Sequence, residues 1–164
     1  MDPCSTSPDL NFAARRSGGS LSRALAVHCA DPDTAYAALL EESGMVFADA
    51  GDESLRDRGE TAALAVGAYH ATREVARRLG EPMFEGLHHE GRERHFYISP
   101  VDGQFMLLSV FGNNTKLAIV RAIAARTAAI LRDSLAAGAS AEMPAFRSPT
   151  EGDLHIGSDY FLPV

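Results

Sequence analysis

Three histidines flank one turn of this chain, His88 and His89 before it and His95 after it. Imidazole suits zinc, copper and nickel, and two imidazoles facing each other across a hairpin can begin a metal site. No third ligand stands at a convincing spacing, although Glu90 and Glu93 lie in the turn. The plainer reading is a polar hairpin end, or a contact at a strand edge. Cys29 has no His–acid pair placed to activate it, and a buried thiol is usually inert. Ser99 precedes Pro100 and lacks a Gly-x-Ser-x-Gly context. A phosphate-cradling Gly-x-x-x-x-Gly-Lys-Ser/Thr loop does not occur, so the chain is not itself a P-loop nucleotide hydrolase. Cys4 and Cys29 make neither a disulfide framework nor a four-ligand zinc site. No catalytic residue, metal or cofactor is therefore expected.

Arginines supply the remaining chemistry. Arg73, Arg77 and Arg78 form one group, and Arg121, Arg126 and Arg132 another. Both fall in stretches with helical periodicity, where a solvated face is the common outcome and an arginine finger acting in trans the sharper reading. The third candidate is the C-terminal stretch 139–164, mildly acidic and punctuated by Leu154, Ile156, Tyr160 and Phe161. Such a segment can dock on a partner, or fold back on its own domain.

The elements that must position these residues follow from apolar spacing. Residues 1–20, rich in Ser, Pro, Gly and Asp, read as a flexible arm. Leu21, Leu25 and His28 share one face of a short helix capped by Ser20. Thr34–Glu41 could be strand or helix by periodicity alone; context decides for a strand, which with Met45–Ala50 reads as a hairpin around Glu42-Ser43-Gly44. Glu60–Leu79 is helical, with Leu64, Ala68, Thr72, Val75 and Leu79 on one face and Gly80 at its stop. Its many small residues, from Ala62 to Ala71, fit either good helix propensity or close approach of another helix. Met83–His89, Arg94–Pro100 and Phe105–Phe111 are three further strands. The last is so apolar that it should be buried on both faces and central. Lys116–Ala137 is a second long helix, with Leu117, Val120, Ala124, Thr127 and Leu131 in one stripe and Gly138 at its end. The expected division is an arm (1–20), one domain (21–137) and a tail (138–164). The order α-β-β-α-β-β-β-α predicts an α/β (α+β) sandwich with a five-stranded, mostly antiparallel sheet.

Bulk composition agrees with one globular domain. The 164 residues are 46% hydrophobic and 23% charged, unlike a disordered chain. A net charge of −7 argues against general binding of nucleic acid or of anionic membranes, which needs a basic face. No run of about 20 apolar residues occurs, so no membrane span is expected. Residues 1–19 lack the apolar core of a signal peptide. Two isolated cysteines suit a reducing cytoplasm.

AALLEESGMVFADAGD (37–52), ALAVGAYHATREVARRLGE (63–81) and LLSVFGNNTKLAIVRAIAARTAAIL (107–131) together resemble the Roadblock (dynein light chain) family over roughly residues 21–135. FEGLHHEGRERHFYISPVDGQFMLLSVF (84–111) is similar to a bacterial subgroup, the MglB-type regulators of MglA-type GTPases. His89-Glu90-Gly91 matches the subgroup's hairpin opening. Gly112-Asn113-Asn114 departs from the acidic pair that the subgroup tends to carry there. The resemblance implies a Roadblock-like fold with profilin-like layering and no active site of its own. It implies a homodimer made by pairing third strands and packing long helices, with Ala65, Ala68, Ala71, Met83, Phe84 and Leu87 at the interface. It also implies a small Ras-like GTPase as partner. The family has no universal site to carry over, so the residues chosen for that contact are the helical-face cations Arg73, Arg77, Arg121 and Arg126, with the tail. An adaptor with no effect on nucleotide turnover is the alternative. An arginine acting in trans on the partner's nucleotide is a further reading of the same cations.

Overall fold

The computed structural model describes residues 19–30, 33–52 and 57–140. Helix α1 covers residues 19–28. It is followed by β1 (Thr34–Glu41), β2 (Val46–Gly51), α2 (Arg58–Arg78), β3 (Leu87–His89), β4 (His95–Pro100), β5 (Phe105–Phe111) and α3 (Leu117–Ser140). The expected element order holds throughout. The strands form one sheet, β2-β1-β5-β4-β3, in which every neighbouring pair is antiparallel. β5 lies at its centre and all seven of its residues are buried.

Strand alternation divides the interior into two cores. Ala37, Leu39, Tyr97, Leu107 and Phe111 face one side and pack with Leu21 and Leu25 of α1 and with Val120, Ala124 and Leu131 of α3. Tyr36, Ala38, Leu40, Ile98, Leu108 and Val110 face the other side and pack with Ala62, Ala65, Val66 and Tyr69 of α2. The molecule is thus three layers, with α1 and α3 on one face of the sheet and α2 on the other.

Besides shifts of one or two residues at other ends, three boundaries differ from the sequence reading. β3 begins at Leu87 and not at Met83. Its register with β4 pairs Leu87 with Ile98, so two residues further back Glu85 would face Pro100. Proline has no N–H to give a ladder, and pairing stops short of it. Gly138 lies inside α3; its cost of about 1 kcal/mol relative to alanine is tolerated among Ala136, Ala137 and Ala139. Ser20 lies within α1 and not before it.

α2 ends as its sequence predicts. Gly80 adopts φ +84°, the Gly80 N–H bonds the Arg77 carbonyl and the Glu81 N–H bonds the Ala76 carbonyl. This double bond pattern satisfies the last carbonyls of the helix, and only glycine adopts that backbone without strain. Glu60 in the first turn and Arg77 and Arg78 in the last complement the helix dipole.

Candidate interaction surface

The face of α2 that meets the sheet is not the one its apolar spacing singled out. Ala62, Ala65, Val66 and Tyr69 are buried, whereas Leu64 (67%), Val75 (55%) and Leu79 (77%) are exposed. Ala68 and Ala71 are exposed as well. At about 100° per residue, Leu64, Ala68, Ala71, Val75 and Leu79 fall within an arc of about 80°. The wide small-residue surface of α2 lets both stripes exist: alanines at 62 and 65 bring the helix close to its own sheet and leave the larger aliphatics outside. Ala65, expected at a helix–helix contact between chains, is 5% exposed and packs on its own sheet.

Other apolar side chains are exposed or half-buried in the segment between α2 and β3. Met83, just past the helix, is 81% exposed. Phe84 is half-buried, its ring 5.1 Å from that of Tyr69, and Leu87 packs at the border of the α2-side core. β3 has a single strand neighbour, β4, so its other edge carries unpaired backbone groups. Beside the stripe, a groove of about 470 Å³ runs between Leu64 and Ala68 of α2 and Phe96, Leu108 and Val110 of the sheet. α2 therefore leaves part of the β4–β5 surface on its own side of the sheet uncovered.

The four candidate partner-binding arginines do not share a surface. Arg73 and Arg77 lie on α2. Arg73 stands over the Tyr69 ring, 5.8 Å from its centroid. Arg77, with Arg78, is paired to Glu74, and these two arginines hold the Glu74 carboxyl down at about 2. Arg121 and Arg126 lie on α3, across the sheet, where Arg121 pairs with Glu85. Leu154, Ile156, Tyr160 and Phe161 fall outside the described residues.

The histidines separate in the same way. His88 and His95 stack on one face, 5.8 Å apart and 11° from parallel, with Phe111 beside both. His89 turns to the other face and stacks on Phe96 at 5.0 Å. Parallel stacked rings do not aim two nitrogens at one point, and no group of three or more ligand-type residues gathers among the described residues. The Nε2 of His88 is buried without a partner. Burial, and then the neighbouring His95, push its pKa below the usual histidine value.

Three polar arrangements escaped the sequence reading. His28 is 2% exposed and joins both helices of its layer to the sheet, with Nδ1 2.9 Å from Thr127 Oγ1 and Nε2 2.9 Å from Ser109 Oγ. Asp33 fixes the loop before α3: its carboxylate accepts the Thr115 N–H at 2.6 Å and the Asn114 amide at 3.3 Å. Asp49 accepts from the Tyr36 hydroxyl at 3.1 Å and pairs with Arg58 at 2.9 Å, tying β2 to β1 and to α2. Asn113, where the resembled subgroup tends to be acidic, bonds the Arg92 carbonyl at 2.9 Å and the His95 ring. The departure thus leaves a neutral amide that joins the β5–α3 loop to the β3–β4 turn.

The class is an α+β domain of three layers, with a central antiparallel sheet edged by β2 and β3 and an exposed apolar stripe on the helix that covers one face. The particular fold is that of Roadblock/LC7 domains and MglB proteins. The structure is similar to MglB of Myxococcus xanthus, with a TM-score of 0.67 and 22% identity over 73% of this chain and 90% of that one. It is similar to the gliding protein MglB of Thermus thermophilus, with a TM-score of 0.65 and 22% identity over 76% and 92% of the two chains. A Roadblock/LC7 domain from Streptomyces avermitilis gives 0.65 and 21% over 70% and 97%. No family profile matches the sequence, and no curated protein does. No helix among the described residues is long and apolar enough to cross a membrane.

Proposed function

We propose that this chain is a homodimeric, non-enzymatic regulator that binds a small Ras-like, MglA-type GTPase and modulates its nucleotide cycle. One observation carries the reading. Leu64, Val75 and Leu79 of α2 are exposed apolar side chains, as is Met83 beyond the helix, and β3 keeps one edge open. A folded domain rarely leaves so much apolar surface uncovered unless another surface meets it. A second copy, brought by a two-fold axis, pairs β3 with β3 and lays α2 against α2. Self-association of similar chains supports this, since one MglB structure of this fold is described as having a tetrameric arrangement.

The GTPase partner follows from the resemblance of the sequence to MglB-type regulators. Arg73 and Arg77, both exposed on the α2 side, are the cations assigned to that partner, together with Leu154, Ile156, Tyr160 and Phe161. The regulator need supply no catalytic group; stabilising one switch conformation of the partner is enough. The setting is the cytoplasm.

Purified full-length chain tests this directly. Light scattering should give a dimer mass, and the protein should retain a GTP-loaded MglA-type GTPase and change its rate of hydrolysis or exchange. Binding that leaves both rates unchanged selects the adaptor reading. A monomer that binds no GTPase refutes both.

A further inference from the structure

On the opposite side of the sheet, a groove of about 610 Å³ opens between α3 and the segment that leads into β3. Tyr97 and Ser99 of β4 line it from the sheet, and Ala122 and Ala125 form its α3 wall. Alanine walls let an aliphatic or aromatic side chain approach the helix closely. Arg121 and Arg132 stand at its two ends, eleven residues and about 16 Å apart along the helix. Arg121 reaches across to Glu85. Arg132 donates its Nε–H to the Val101 carbonyl at 2.9 Å, and no carboxylate among the described residues pairs with it.

The described chain stops at Ser140, about 12 Å beyond Arg132 along the axis of α3. The residues that follow, 141–164, hold Glu142, Glu151, Asp153 and Asp159 against Arg147, a balance of −3. α3 itself holds three arginines against Asp133, a balance of +2. The fourteen residues from Ser140 to Leu154 span at most about 50 Å. The far end of the groove, at Arg121, is about 28 Å back along the helix. The charges also match in spacing: Asp153 and Asp159, six residues apart, lie about 20 Å from each other in an extended chain. That is close to the interval between the two arginines, with Leu154 and Ile156 falling between.

We propose that, in the chain free of any partner, the segment Asp153–Phe161 folds back antiparallel to α3 and occupies this groove. Asp153 meets Arg132 and Asp159 meets the Arg121 end. Leu154 and Ile156 cover the alanine wall. The surface that the segment leaves when a partner takes it is then this groove. The inference does not depend on what that partner is.

The test is paramagnetic relaxation in the full chain, with Ser158→Cys carrying the spin label and Cys4→Ser and Cys29→Ala removing other thiols. The amide signals of Ala122 and Ala125 should lose at least half their intensity relative to the reduced label. Arg132→Glu should restore them, and pairing that change with Asp153→Arg should quench them again. Unquenched signals in the full chain, or a charge swap without effect, overturn the proposal. So does quenching in a mixture of spin-labelled and separately isotope-labelled chains, which would place the segment in a second copy.

Discussion

Leu64→Asp is the sharpest probe of the α2 stripe. Leu64 is 67% exposed in the single chain, so its replacement removes little that the monomer uses, and the fold should survive. In a two-fold dimer the residue is covered, and twice over, because an isologous interface uses each position once per chain. Fully burying a leucine is worth about 1.5–3 kcal/mol. Two-thirds of that, lost in both copies, comes to about 2–4 kcal/mol. The two new carboxylates must also be desolvated near the axis, which adds to the loss. At about 1.4 kcal/mol per tenfold change, the dissociation constant should rise at least about 30-fold. Sedimentation equilibrium over a wide range of protein concentration measures it, with circular dichroism and thermal melting of the monomer as the control for folding. A variant that folds and dimerises within threefold of the parent would refute the assignment of this stripe to an interface. Ala63→Asp, on an exposed neighbouring position outside the stripe, should change the dissociation constant far less.

Other outcomes follow from buried polar groups. Ser109→Ala removes the buried hydroxyl bonded to His28 Nε2 and should cost about 1–3 kcal/mol in denaturant unfolding; combined with Thr127→Ala, the loss should depart from additivity because both hydroxyls serve one ring. The Cys29 thiol, raised by burial to about 11, should react with a disulfide reagent at pH 8 roughly 100-fold more slowly than a free thiol of pKa about 8.5, as read in a Cys4→Ser background. His88 has a folded-state pKa below its unfolded value, so the unfolded chain takes up the proton first. Its contribution to stability is present above about pH 6.5 and is lost as pH falls toward the lower folded value. Melting curves from pH 7.5 to 5 should decline less steeply for His88→Phe than for the parent.

Much of this protein was legible in its sequence, for a physical reason. The periods of two and 3.6 residues are local, and they located most strands and helices; for residues 34–41, where periodicity fits either, the hairpin context decided for a strand. β5 announced its central place by being apolar throughout, since a strand covered on both faces has no polar side. Gly80 marked the end of α2 because its left-handed backbone is one that glycine alone adopts freely.

What sequence could not decide was which neighbour each face would meet. The stripe of Leu64, Val75 and Leu79 has the spacing of a core face, yet the sheet lies against Ala62, Ala65 and Tyr69. Periodicity finds an apolar arc without saying whether this chain or another one covers it. The arginines show the same limit, because placing α2 and α3 on opposite faces of the sheet separates Arg73 and Arg77 from Arg121 and Arg126. The late start of β3 depends on register, which sets Glu85 toward Pro100 on the next strand. His28, Ser109 and Thr127 meet across separations of 81 and 99 residues, and no local pattern reports such a meeting. Spacing along the chain determined the elements; only the packing of the layers decided which side chains face each other.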